Sequence, residues 1–219
     1  PSISIDLKEE ADMVKLCNAR DKCGSGFLKG GLSLVCTLAV MVILAAPLKS
    51  QSEWQPIFNG KDFTGWRGQP DLWSIEDGVI VGRTDGKIPR NEFLSTVKKY
   101  RNFVLRLKVL LVKGEGNSGI QYRSEYNDGG VSGYQADLAD GWWGVLYEEN
   151  GRGILHKPDP QKLRVNRTGW NEYEIMADGD HLQTRLNGLV ILDIRDTQAT
   201  EGIFALQVHI GSPMEVRFK

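Results

Sequence analysis

Phe103, Leu105, Leu107, Val109 and Leu111 take every second position along one stretch, with Arg106 and Lys108 between them. Successive side chains of a strand point to opposite faces, so this alternation predicts a half-buried strand with one dry face. Trp73 to Gly82 carries Asp77-Gly78 between apolar flanks, a tight-turn dipeptide that predicts a hairpin. Tyr173 to Ala177 and Leu182 to Leu186 flank Asp178-Gly179-Asp180, and Asn187-Gly188 turns the chain again into Val190 to Ile194. No stretch after Trp54 sustains a helical stripe. Many short strands joined by Gly-rich turns predict an all-β fold, a sandwich or jelly roll of two antiparallel sheets with the Phe103–Leu111 stripe packed between them.

The same period assigns polar residues to faces. Asn117 to Arg123 sends Ile120 and Tyr122 one way and Gln121 and Arg123 the other. Tyr134, Ala136 and Leu138 point inward, Gln135 and Asp137 outward. Phe204, Leu206 and Val208 are buried, which leaves Gln207 and His209 opposite. If these strands are neighbours, Gln121, Arg123, Gln135, Asp137, Gln207 and His209 share one concave surface, with more hydrogen-bonding equipment than a solvated face needs. That pattern predicts a site for a hydroxylated ligand.

Residues 1–52 read differently. Lys15, Arg20, Lys22 and Lys29 precede an uncharged apolar run from Gly31 to Pro47, and a polar stretch from Lys49 to Glu53 follows. This is the pattern of a secretory signal peptide, or of an N-terminal anchor if it stays uncleaved, and it predicts a periplasmic or extracellular domain over residues 53–219. Contact with a membrane is expected only through that leader. Cys17, Cys23 and Cys36 all lie in it, which removes disulfides and thiolate nucleophiles from the domain. The 219 residues carry a formal charge of −1, so nothing points to nucleic acid. The histidines are scattered and no HExxH or cysteine pair occurs, so no cofactor is required. Asp137, Asp140 and Glu148 are oxygen ligands of the type a hard cation such as calcium takes, without fixing such a site.

Asn59-Gly60-Lys61-Asp62-Phe63-Thr64-Gly65-Trp66 resembles the opening motif of the 3-keto-disaccharide hydrolase domain family. Further matches follow in order: Asn117-Ser118-Gly119-Ile120 with Arg123, Gly133-Tyr134-Gln135-Ala136-Asp137, Trp170-Asn171-Glu172-Tyr173, Leu186-Asn187-Gly188, and Leu206-Gln207 with His209. The resemblance implies a concanavalin-like jelly roll, exported in bacteria and acting on glycosides already oxidised to a ketone at carbon 3. Many members carry Glu and Gln in a Gly-Tyr-Glu-x-Gln pattern where this chain has Gln135 and Asp137, which moves the carboxylate two positions along the same strand face.

A ketone at carbon 3 acidifies the carbon 2 hydrogen, so elimination of the carbon 1 leaving group becomes feasible and water can then add back. Such chemistry needs a base, a group to hold the enolate oxygen and an acid for the leaving oxygen. Asp137 or His209 is the candidate base, Arg123 the enolate stabiliser, and Glu148 or Tyr147 the acid. Gln121, Gln135, Asp140, Trp143 and Gln207 are candidate substrate contacts. Each has a plainer role to weigh: Arg123 as the ion-pair partner of Asp137 or Asp140, His209 as a rim residue, Glu148 and Glu149 as a solvated pair. Trp142 and Trp143 cannot both point inward if extended, so one is expected at the rim. The alternative function is a non-catalytic carbohydrate-binding module of the cell envelope, using the same face.

Overall fold

The structure, a computed structural model, describes residues 3–7, 54–128 and 130–219. The apolar run and the three cysteines of the expected leader lie outside the described residues. Among the described residues sixteen strands form two sheets, and every pairing between them is antiparallel. They are β1 Ser4–Leu7, β2 Gln55–Pro56, β3 Trp66–Arg67, β4 Trp73–Glu76, β5 Val79–Thr84, β6 Glu92–Thr96, β7 Phe103–Leu111 and β8 Asn117–Asn127. After these come β9 Gly130–Ala139, β10 Leu146–Glu149, β11 Gly153–His156, β12 Asn171–Asp178, β13 His181–Leu186, β14 Leu189–Arg195, β15 Ile203–Val208 and β16 Met214–Phe218.

The first sheet runs β14-β13-β12-β7-β16-β5-β4, with β1 paired to β7 and β2 paired to β1. The second runs β11-β10-β9-β8-β15-β6-β3. Between them lies a single apolar layer. The predicted stripe of β7 supplies Phe103, Leu105, Leu107, Val109 and Leu111 to it, while Arg106 on the same strand is exposed. The second sheet answers with Ile120, Tyr122, Tyr134, Ala136, Leu138, Phe204, Leu206 and Val208. Burying one Val, Leu, Ile or Phe side chain contributes about 1.5–3 kcal/mol, so this interleaved layer is the main source of cohesion between the sheets. The turns follow the sequence as well: Asp77 and Gly78, and Asn187 and Gly188, both take positive φ in successive residues, the conformation a two-residue hairpin needs.

Two features depart from the expectation. Residues 3–7 fall within the expected leader, yet Ser4–Leu7 pairs with Phe103–Arg106 of β7 and Ile3 and Ile5 join the core. The second departure is in the β8–β9 hairpin, where register shifts between Tyr122 and Glu125 and Arg123 has φ 47°. This is a β-bulge, which inserts an extra residue and bends the ribbon. Beyond it the hairpin turns over the outer face of its own sheet: Arg67 sits over the Tyr126 ring, and Arg90 donates to the Asp128 carbonyl at 3.0 Å.

Candidate active site

Four hydrogen-bonded side chains form a row across the outer face of β8 and β9. Ser124 Oγ donates to Gln121 Oε1 at 2.7 Å, Gln121 Nε2 to Gln135 Oε1 at 2.8 Å, and Gln135 Nε2 to Asp137 Oδ1 at 2.6 Å. Register brings them together, since Gln121 pairs with Gln135 across the strands and Asp137 with Gly119. Gly119 is required there. A Cβ at that position would stand 2.2 Å from Gln135 Cδ, so only glycine lets the Gln135 side chain lie across β8 towards Asp137. Asp137 is also held through its backbone, its carbonyl accepting from Tyr173 Oη and from the Gly144 N–H, both at 3.0 Å.

Asp137 ends the row in a hollow of about 260 Å³, lined also by Asn91, Asn117, Gln135, Trp142, Tyr147, Glu149, Gln207 and His209. Removal from water raises the Asp137 pKa to about 7, with the neighbouring Glu149 charge adding to the rise and the Gln135 hydrogen bond opposing it. A carboxyl group poised near neutrality is suited to proton transfer. Asn91 ties the rim, donating to Glu149 at 3.0 Å and accepting from the Ile210 N–H at 3.0 Å. His209 Nδ1 lies 2.5 Å from the Ile210 carbonyl. A carbonyl only accepts, so Nδ1 is the donor in this contact and Nε2 is the ring nitrogen left for other partners.

The hollow contains polar atoms that the protein itself leaves unmatched. Six buried side-chain atoms among the described residues lack a hydrogen-bond partner, and three of them belong here: Asn117 Oδ1 and both amide atoms of Gln207, whose side chain is fully buried. Buried polar groups are normally satisfied, so unmatched ones facing a cavity mark where a polar ligand completes the set. A larger hollow of about 470 Å³ near Asp140 and Trp143 has none of these atoms in its lining.

Of the residues expected to converge, Gln135, Asp137, Gln207, His209 and Tyr147 line the hollow, and Gln121 supports it from the row behind. Arg123 does not join them. The bulge turns its side chain to the first sheet, where the guanidinium donates to the carbonyls of Arg101, Gly179 and Ala199 and to Asn102. It pairs with neither Asp137 nor Asp140, and desolvation lowers its pKa. Glu148 points away as well, bound by Arg152, which also holds Asp196 at 2.8 Å. The carboxylate that faces the hollow is Glu149, two residues from Tyr147 and therefore on its side of β10.

Asp140 pairs with Arg167 at 2.7 Å and Trp143 stacks on Tyr173, both at the larger hollow, so Trp142 is the tryptophan at the site rim. Asp137, Asp140 and Glu148 thus do not converge on a common cation position. Strand parity from Tyr147 identifies Glu149, and the matched Asn117-Ser118-Gly119 motif signals Asn117. Asn91 precedes β6 and no local pattern marks it.

The two-sheet jelly roll thus presents one amide-rich hollow beside Asp137 on an outer face. The chain belongs to the 3-keto-alpha-glucoside-1,2-lyase-like domain family, whose model matches residues 53–219. It is 31% identical over 130 residues to a 3-keto-disaccharide hydrolase of Bacteroides thetaiotaomicron, an alignment covering 52% of this chain and 44% of that protein. Among solved structures it is similar to a candidate glycosyl hydrolase of Parabacteroides distasonis, with TM-score 0.57, 24% identity, and coverage of 75% of this chain and 90% of that one. It is also similar to the carbohydrate-binding module CBM66 of Bacillus subtilis, with TM-score 0.58, 21% identity, and coverage of 71% and 92%. At these identities the structural matches establish the fold.

Proposed function

We propose that the domain cleaves 3-keto-glycosides by removing the carbon 2 proton and expelling the carbon 1 substituent. The observation that carries this reading is Asp137: a carboxyl group with its pKa raised to about 7, in a hollow where Gln207 and Asn117 have unmatched polar atoms. Ionised Asp137 takes the proton, and the C2–H electron pair moves into the C2–C3 bond as negative charge passes to the carbon 3 oxygen. Gln207 Nε2 is the unmatched donor for that oxygen, a role expected of Arg123 from sequence. Gln207 Oε1 and Asn117 Oδ1 accept from sugar hydroxyls, and Trp142 offers a ring surface at the rim.

Collapse of the enolate expels the carbon 1 oxygen, which leaves as an alcohol after taking a proton from Tyr147, a hydroxyl-bearing side chain of the hollow. The other product is the 1,2-unsaturated 3-keto sugar, and water added across its double bond returns the saturated 3-keto sugar. A face that only bound sugar would gain nothing from a carboxyl group desolvated to this degree, which favours chemistry over the binding-module alternative. Export belongs to the same reading, supported by the basic residues and apolar run of the leader. Incubating the purified full chain with a 3-keto-glucoside should release its aglycone. Saturable binding without release would assign the hollow to carbohydrate binding alone.

A further inference from the structure

One edge of β7 is covered by two pieces of chain lying end to end. Val216–Phe218 of β16 pair with Leu111–Val109, and Lys219 exchanges backbone hydrogen bonds with Lys108 at 2.6 and 2.9 Å. From there Ser4 to Leu7 take over, pairing with Arg106 to Phe103 in the same direction. Ile3 and Ile5 are each 1% exposed and sit in the core between the sheets, while Leu7 is 37% exposed. On its other side this piece carries β2, which among the described residues pairs with β1 alone, and the Ile57 N–H donates to the Ile3 carbonyl at 3.0 Å.

We infer that the Phe103–Leu107 edge of β7 is a strand-accepting slot, and that its occupant is the chain's own Ile3–Leu7 segment, bound as a docked peptide. The slot has the two elements of strand addition: a row of main-chain donors and acceptors for affinity, and buried positions that select apolar residues at alternate places. The segment ISIDL satisfies both, with Ile3 and Ile5 inward. This follows from register and burial and does not depend on the functional reading. A cut introduced within residues 9–53 after folding isolates the claim. The strand would then be held only by non-covalent contacts, and its loss would expose the β7 edge and release β2 from its one partner.

The test uses the full chain with a specific protease site introduced within residues 9–53. After cleavage and native gel filtration, the fragment carrying residues 1–8 should elute with the sandwich, and hydrogen exchange at the amides of Phe103 to Leu107 should stay as slow as before the cut. In Ile5→Asp, cut in the same way, the fragment should leave at least tenfold faster, and addition of synthetic PSISIDLK should restore protection of the β7 amides. Leu7→Ser, at the exposed position, should behave as the parent. Precipitation of the sandwich on fragment loss, reversed by the added peptide, would also support the slot. Release of the fragment at the parent rate in Ile5→Asp, or release with no change in β7 exchange or melting temperature, would overturn it.

Discussion

The outer faces of the two sheets are both polar, but they are built on opposite principles. On the first sheet, charges meet charges in water: Arg106 with Glu174, Lys108 with Glu172, and Arg83 with Glu76 and Glu215. Every one of these partners is partly exposed. On the second sheet, Gln121, Gln135, Asp137 and Gln207 are buried, no cation among the described residues pairs with Asp137, and the side-chain amide of Gln207 has no hydrogen-bond partner. Solvated ion pairs contribute little to stability and do not indicate a site. Buried, unmatched amides beside a desolvated carboxyl group cost the free protein stability, and the proposed function is what they serve.

The sharpest break in that comparison comes from Asp137→Asn, which keeps the shape and the Gln135 contact but removes the base. Turnover of a 3-keto-glucoside should fall by about 10²–10⁴-fold, the usual contribution of a general base, with the fold retained by circular dichroism. Wild-type turnover in this variant would remove Asp137 from the mechanism. In the parent, kcat/KM should rise with pH through about 7 as Asp137 ionises.

Stability should move in the opposite sense to activity. The folded-state pKa of Asp137 lies above its ordinary value of 3.8, so the folded protein holds this proton more tightly than the unfolded chain. The resulting stabilisation is full below pH 3.8 and is lost as pH rises through about 7. A shift of this size is of the order of 4 kcal/mol. Denaturant titrations at pH 5 and pH 8 should therefore show a parent that weakens between the two and an Asp137→Asn protein that weakens less. Equal losses in both would show that the carboxyl group is better solvated than its burial indicates.

Gln207→Leu sharpens the comparison from the other side. Removing both unmatched polar atoms should raise free-protein stability by about 1 kcal/mol while weakening binding of a 3-keto sugar at least tenfold. A destabilised variant would mean that Gln207 is satisfied in solution, for instance by ordered water. The smallest effect belongs to the first sheet: Glu174→Gln should change stability by less than ~1 kcal/mol and leave turnover unaltered.

Much of this was legible in the sequence because strand periodicity is a local property. The β7 stripe, the Asp77-Gly78 and Asn187-Gly188 turns, and the outward placement of Gln121, Gln135, Asp137 and Gln207 all follow from counting by two. Counting fails where the backbone departs from the period. Arg123 is two residues from Gln121, but the bulge turns it to the other side of the sheet, and the partners that hold it come from residues far along the chain. Trp142 and Trp143 follow a turn rather than a strand, so which one reached the rim depended on loop geometry. Ile3, Ile5 and Leu7 alternate as well, yet the basic and apolar leader pattern beyond them masked that signal.

The central claim is proton removal from carbon 2 by Asp137, and solvent exchange at that carbon tests it most directly. A 3-keto-glucoside is incubated with the full chain in D₂O, and deuterium at carbon 2 and aglycone release are followed together by NMR. The account predicts that aglycone appears only with loss of the original carbon 2 hydrogen, that a carbon 2 deuterated substrate reacts more slowly, and that Asp137→Asn abolishes both exchange and release. Aglycone released with the original carbon 2 hydrogen retained, or exchange undiminished in Asp137→Asn, would contradict it.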